Sequence, residues 1–166
     1  MVAMMFDEVM AAIRSEFLDV ADVGEATRIA VRVLLAALLG ALLGFNRERY
    51  GKAAGLRTHM LVAMGSAAFV IAPLFAGMEI ADQSRVIQGV IAGIGFIGAG
   101  TIIKHRNDEQ VIGLTTAASV WMTAAIGVAC GLGRDSTAII LAVLAWVVLS
   151  LADRLSSIAR KNGPQS

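Results

Sequence analysis

Long apolar runs alternate with short charged segments along most of this chain. Residues 86–103 carry no formal charge and contain five glycines. Comparable runs cover residues 29–45, 58–75, 115–132 and 136–152, and each run is 17 to 18 residues long. That length is at the short end of what a helix needs to cross a bilayer. The pattern therefore predicts about five transmembrane helices.

Small residues recur at four-residue intervals within these runs. A glycine in a water-exposed helix costs about 1 kcal/mol relative to alanine, whereas small residues in a membrane let neighbouring helix backbones approach closely. The row Ser119, Thr123, Gly127 and Gly131 is predicted to pack against residues 86–103. The glycines predicted to pack helix against helix are Gly40, Gly44, Gly89, Gly93, Gly95, Gly98, Gly100 and Gly127.

One glycine pattern within these runs resembles a nucleotide-binding motif. Gly93, Gly95 and Gly98 spell G-x-G-x-x-G. That motif binds a dinucleotide when it joins a strand to a helix, but here it lies inside an unbroken apolar run. We therefore interpret it as part of a membrane helix.

The distribution of charged residues divides the chain into three segments. Residues 1–26 hold six acids and one base, with apolar positions three and four apart, which predicts an amphipathic helix on the membrane surface. A frayed acidic tail is the alternative. Residues 27–155 form the predicted transmembrane domain, and residues 156–166 form a basic tail.

The composition supports a membrane protein. Hydrophobic residues make up 57% of the chain and charged residues 16%, against about 25% charged in soluble domains. Four bases and one acid lie between residues 46 and 57, which indicates the cytoplasmic side. We predict an all-α polytopic bundle with its N-terminus outside and its C-terminus in the cytoplasm.

Few side chains in the sequence suggest chemistry. Arg32 either reaches the nearer membrane interface or faces the bundle interior beside a carboxylate, and Glu48 either pairs locally with arginines or joins an interior network. His59 lies two helical turns from Ser66, too far for a nucleophile and its base. His59 and His105 are isolated from each other, so we expect no metal site. Because membrane topology explains the bases, we expect no nucleic-acid binding. We also expect no enzyme activity.

Three sequence blocks resemble the membrane domain of the MgtC/SapB family. They are GALLGFNRERYGKAAGLRTHMLVAMGSAAF, DQSRVIQGVIAGIGFIGAGTII and VIGLTTAASVWMTAAIGVACGLG. The chain resembles the short form, without the cytoplasmic C-terminal domain of many members. The resemblance implies a bacterial inner-membrane protein connected with magnesium homeostasis and virulence, acting either as a regulator of other membrane proteins or as a transporter.

Two functional hypotheses follow. The first is a non-enzymatic regulator without a cofactor, embedded in the lipid bilayer as a homo-oligomer, with a dimer favoured, and bound to other membrane proteins. The second is a channel or carrier for Mg²⁺ or another small solute. Mg²⁺ prefers oxygen ligands, yet no carboxylate lies well inside a predicted span. The predicted polar network comprises Arg47, Glu48, Arg49, Arg57, Thr58, Asp82, Arg85, Gln88, Thr115, Thr116 and Ser119.

Overall fold

A computed structural model describes residues 2–16, 22–104 and 111–162 of the chain. Within those ranges the chain forms six helices and one pair of two-residue strands, which confirms the predicted all-α fold class. In chain order the elements are α1 (Val2–Glu16), α2 (Val23–Arg49), α3 (Leu56–Phe75), α4 (Ile80–Gly100), β1 (Ile103–Lys104), β2 (Val111–Ile112), α5 (Leu114–Gly131) and α6 (Asp135–Asn162).

The chain divides into two compact units, residues 1–31 and residues 32–166. In the first unit α1 carries exposed apolar side chains, including Met5, Val9 and Ile13. The side-chain oxygen of Asp22 accepts the backbone N–H of Glu25 at 2.6 Å. Asp22 thereby caps the N-terminus of α2, because it satisfies a backbone donor that has no partner within the helix. Helix α1 ends at Glu16, and residues 17–21 lie outside the described ranges. Its position on the membrane surface stays a prediction.

Four of the described helices are long and apolar enough to cross a membrane. They are α2, α3, α5 and the first 18 residues of α6. Helix α4 has 21 residues but does not reach the same apolarity. Its first half holds Asp82, Gln83, Arg85 and Gln88, and these polar side chains offset the apolar run after them.

Helix α3 lies between α2 and α5, and the small residues of α2 face it. A Cβ atom added at Gly40 would lie 2.6 Å from the carbonyl oxygen of His59, and one at Gly44 would lie 2.7 Å from the Cα atom of Leu56. These separations are shorter than van der Waals contact, so no side chain fits at either position. The two glycines bring the backbones of α2 and α3 together, as in other membrane helix pairs.

The small-residue row of α5 faces α3 from the other side. A Cβ atom at Gly127 would meet the carbonyl oxygen of Ala63, and one at Gly131 would lie 2.7 Å from the carbonyl oxygen of Ala67. The prediction that this row packs against residues 86–103 is therefore wrong. Helix α4 contacts α5 through a different face, where the Cβ of Ala117 lies 3.6 Å from the position of a Cβ at Gly98.

Helix α4 is the least covered of the helices in the second unit. Ile94 and Gly98 are its buried residues. A Cβ atom added at any of its four other glycines would meet nothing within 4 Å in the described part of the chain. These glycines make no close helix contact within one chain, so their packing role stays a prediction for contacts with other molecules. They are Gly89, Gly93, Gly95 and Gly100.

A pair of short strands lies between α4 and α5. Strands β1 and β2 pair antiparallel, with Ile103 opposite Ile112. Gly113 then begins α5 with a φ of +100°, and a Cβ atom there would collide with the carbonyl oxygen of Thr101. Both the left-handed backbone and the close approach require glycine at this position.

The packing predicts unequal effects of alanine at two glycines. Gly44→Ala should lower the free energy of unfolding by about 1–3 kcal/mol, because the added methyl group overpacks the contact of α2 with α3. Gly95→Ala is the matched control and should leave the free energy of unfolding unchanged or raise it by up to about 1 kcal/mol, because its Cβ meets open space and alanine favours a helix. Thermal unfolding in detergent micelles measures both. Equal melting temperatures for the two variants would contradict the described packing of α2 on α3.

Candidate functional site

A cluster of buried polar side chains joins α2, α3 and α5. Arg47, in the last turn of α2, is 1% exposed, and its Nη2 donates a hydrogen bond of 3.1 Å to Oγ1 of Thr116 on α5. A cation is favoured at the C-terminal end of a helix because the helix dipole is negative there. A buried guanidinium is nevertheless costly unless polar atoms surround it, so this contact fixes the positions of both helices.

His59 connects α3 to the same part of α5. Its side chain is fully buried, with Nδ1 2.9 Å from the carbonyl oxygen of Gly55 and Nε2 3.3 Å from Oγ of Ser119. Ser119 in turn donates to the carbonyl oxygen of Thr116 at 2.8 Å. One turn deeper, Thr123 donates to the carbonyl oxygen of Ser119 at 2.8 Å. Hydroxyl bonds of this kind satisfy polar groups within a membrane helix.

The hydrogen-bond partners of His59 limit where its protons lie. A carbonyl only accepts, so Nδ1 carries a proton for Gly55. Ser119 has one hydroxyl proton for two neighbours, the carbonyl of Thr116 and Nε2 of His59. When the ring is neutral, Nε2 is an acceptor, and the single hydroxyl proton of Ser119 goes either to Nε2 or to the carbonyl of Thr116.

A serine hydroxyl beside an imidazole also resembles a nucleophile with its base. Both side chains, however, are buried, at 0% and 3% exposure for His59 and Ser119. A substrate would have to separate α3 from α5 to reach them, at the place where glycines hold these helices together. The geometry supports a structural link between helices.

Glu48 lies next to Arg47 in sequence but has a different role. Its Oε2 accepts the backbone N–H of Leu56 at 2.8 Å, at the first residue of α3. A Cβ atom at Gly55 would lie 2.8 Å from the same oxygen. The carboxylate thus caps the N-terminus of α3, where the helix dipole favours a negative charge, and Gly55 leaves room for it. This contact is neither of the two alternatives that the sequence left open.

Asn46 links the same end of α2 to α6. Its Nδ2 donates to Oγ of Ser150 at 2.9 Å, while its buried Oδ1 has no hydrogen-bond partner among the described residues. A buried carbonyl without a donor costs about 1–3 kcal/mol. This contact completes the polar links at the basic-loop end of the bundle.

Arg32 bonds to α5 at the opposite end of the bundle. Its Nη1 donates to the carbonyl oxygen of Gly131 at 2.9 Å, and its guanidinium lies 5.6 Å from the ring centroid of Phe75. Gly131 is the last residue of α5, where backbone carbonyls have no partner within the helix. Arg32 therefore faces neighbouring helices, as one alternative predicted, but a backbone carbonyl and an aromatic ring receive it in place of a carboxylate.

The predicted polar network is divided between the two ends of the bundle. Arg47, Thr116 and Ser119 come together, with Glu48 beside them, and Thr58 is half-buried nearby in α3. Asp82 and Arg85 form an exposed ion pair of 3.4 Å at the other end, in the first turns of α4. The remaining predicted residues are exposed and stand apart from the buried cluster: Arg49, Arg57, Gln88 and Thr115.

Sequence reasoning missed several members of the cluster. The sequence predicts that His59 is isolated and too far from Ser66 for a direct bond, and it does not indicate the actual partner, Ser119 on another helix. Asn46, Ser150 and Thr123 were not singled out as site residues. The sequence does contain an indication of this cluster, because Thr116, Ser119 and Thr123 share one face of α5 at spacings of three and four.

Among the described residues, no three His, Cys, Asp or Glu side chains come close enough to hold a metal ion. His105, in the charged segment between α4 and α5, lies outside the described ranges.

Four apolar helices joined by glycine contacts and polar links define a polytopic membrane helix bundle. The chain belongs to the MgtC family, whose profile matches residues 33–158. It is 44% identical to Protein SrpB of Synechococcus elongatus, over 82% of this chain and 81% of that protein. It is 39% identical to the putative magnesium transporter YhiD of Escherichia coli K12, over 76% of this chain and 61% of that protein.

A third relative is longer than this chain. Protein MgtC of Brucella abortus is 45% identical over 70% of this chain, and the matched part is 48% of that protein. The chain thus spans about half the length of this relative. No solved structure matches the chain.

The link between Arg47 and Thr116 predicts a specific loss of stability. Thr116→Val keeps the side-chain shape but removes the acceptor for a buried guanidinium, which should lower the free energy of unfolding by about 1–3 kcal/mol. Thr115→Val is the matched control, because its side chain is exposed. Unfolding in mixed micelles of increasing denaturing detergent compares them, and equal unfolding midpoints would exclude a stabilising bond at Thr116.

The capping role of Glu48 makes a local prediction. Glu48→Ala should cost about 0.5–2 kcal/mol, as for other lost helix caps, and should speed hydrogen exchange at the amide of Leu56. The neighbouring exposed Arg49→Ala is the control. Mass-spectrometric hydrogen exchange of the peptide around Leu56 measures the effect. Faster exchange in both variants would point to general loosening of the loop and count against a cap.

Proposed function

We propose that this chain is a non-enzymatic protein of the bacterial inner membrane that is linked to magnesium homeostasis and acts by binding other membrane proteins. The observation that carries the proposal is the contrast between a closed interior and an open helix. Buried polar side chains of α2, α3 and α5 bond to one another, whereas α4 buries Ile94 and Gly98 and leaves most of its other residues exposed.

One strip of the uncovered surface of α4 differs from a lipid-facing one. It carries Gln88, Ala92, Gly95 and Ala99, all exposed and spaced by three or four residues, and the exposed Phe96 lies beside it. Exposed residues on α6 are large and apolar, such as Leu144 and Val148, as expected against lipid. An amide among small residues favours contact with another helix, and we assign this side of α4 to a partner protein or to a second copy in a dimer.

The proposed orientation places the N-terminus outside and the C-terminus in the cytoplasm. The loop between α2 and α3 is the basic one, with Arg49, Lys52 and Arg57 in or beside it. Short loops rich in lysine and arginine stay on the cytoplasmic side. The ends joined by this loop, where Arg47 and His59 are buried, would then lie near the cytoplasm.

A magnesium carrier is the second candidate. The relative YhiD is named a putative magnesium transporter, and Asp82, Arg85 and Gln88 expose polar groups along α4. If copies assembled around α4, these groups would line a passage between them. Oxygen atoms of Asp82 and Gln88 suit a hard cation such as Mg²⁺.

Two measurements separate these candidates. A photo-crosslinking amino acid placed at Ala92 should form adducts with membrane proteins of other sequence in bacterial cells. The same residue at Val148 on α6 should not, because that position faces lipid. In liposomes with an internal Mg²⁺-sensitive dye, the purified protein alone should give no uptake. Mg²⁺ uptake that is lost in Gln88→Leu would overturn the regulator and establish the carrier.

A further inference from the structure

An apolar cleft of about 700 Å³ separates parts of α3 and α4. Three glycines in its wall, Gly65, Gly89 and Gly93, leave open space where a Cβ would stand. The cleft thus exists because side chains are missing at these positions. Leucine, valine, isoleucine and phenylalanine side chains line most of the rest of its wall.

The shape and chemistry of the cleft suit a hydrocarbon chain. Its wall runs along α4 from Val86 to Ile97, about 16 Å at 1.5 Å per residue. A hydrocarbon chain is thin enough to enter such a cleft and matches an apolar wall in chemistry.

A cation stands beyond one end of the cleft. Arg85 precedes Gly89 by one helical turn and lies on the same face of α4. Its side chain is 79% exposed, and its ion pair with Asp82 spans 3.4 Å. Such exposed pairs are weak, so the guanidinium remains open to a stronger partner. Arginine binds phosphate through two parallel hydrogen bonds.

The wall of the cleft also holds one polar side chain. Ser66 is 3% exposed and lines the cleft, and its Cβ lies 2.9 Å from the position of a Cβ at Gly127 on α5. The wall is therefore almost entirely apolar, and the charged group nearest to it in sequence on α4 is Arg85.

We propose that the cleft between α3 and α4 is a phospholipid-binding site. One acyl chain lies in the apolar cleft, and the phosphate binds Arg85. Gly89 and Gly93, two of the four glycines of α4 that make no helix contact within the chain, then have a role, because they provide the volume for the acyl chain. The cleft itself lies on a different side of α4 from Gln88 and Ala92, and Arg85 lies between the two sides.

Photolabelling tests the site. The protein is reconstituted in phosphatidylethanolamine and phosphatidylglycerol vesicles containing a trace of phosphatidylglycerol with a diazirine on one acyl chain. Adducts are located by mass spectrometry. Labelling should concentrate on α3 and α4 residues of the cleft. In Gly89→Leu/Gly93→Leu, which fills the cleft, it should fall roughly tenfold. Gly100→Leu is the matched control, since it adds the same side chain in open space outside the cleft.

A second comparison does not depend on filling the cleft. Wild-type protein should label more strongly with the phospholipid than with a diacylglycerol that carries the same diazirine chain but no phosphate. Arg85→Gln should reduce this preference by about twofold to fivefold, as for the loss of one exposed ion pair. Phospholipid labelling of α6 equal to that of the cleft, or no preference for phosphate in the wild type, would overturn the proposal.

The remaining outcome concerns a second copy of the chain. If Gly89→Leu/Gly93→Leu dissociates a dimer while labelling of the cleft is unchanged, the cleft is an interface between copies and the lipid site is wrong. These outcomes do not depend on Mg²⁺ uptake or on crosslinks from Ala92. Failure of the lipid site would therefore leave the proposed function standing, and the reverse also holds.

Discussion

The close approach of α2 and α5 to the backbone of α3 is the contact on which the bundle depends. Lipid chains are as apolar as leucine, so burial from lipid supplies little force between helices, and van der Waals contact and hydrogen bonds must replace it. Gly40 and Gly44 on one side of α3, and Gly127 and Gly131 on the other, provide that contact. A side chain at any of the four would separate two backbones.

The polar links depend on this close packing. Arg47 reaches Thr116, and His59 reaches Ser119, because the glycines have already brought their helices together. Arg32 reaches the last carbonyl of α5 at the opposite end. Such bonds are directional, so they fix how each helix is rotated about its axis and where it lies along that axis. Packing alone, which is not directional, would leave both undetermined. The combination gives three helices one arrangement and leaves no buried polar side chain of this cluster facing lipid.

Much of the fold was readable from the sequence, because apolar runs and charged loops determine where membrane helices begin and end. The sequence did not show which helices pack against each other. A small-residue row such as that of Gly127 and Gly131 indicates close packing but carries no information about which helix approaches it. The burial of Arg47 and the exposure of Arg49 differ through helix rotation alone. Glu48 was predicted at the membrane boundary, yet its bond to Leu56 depends on how the following loop returns the chain.

Helix α4 differs from the other helices because four of its five glycines take no part in packing the core. Gly89, Gly93, Gly95 and Gly100 contact nothing that would exclude a side chain, so packing within the chain does not explain why they are glycine. Each also lowers the intrinsic stability of the helix. The proposals made for α4 give these glycines a role in contacts with other molecules. One side of the helix presents an amide among small residues, and the other borders a cleft with a cation beyond its end. These two environments differ in chemistry, and so they suit two different neighbours, a protein helix and a lipid.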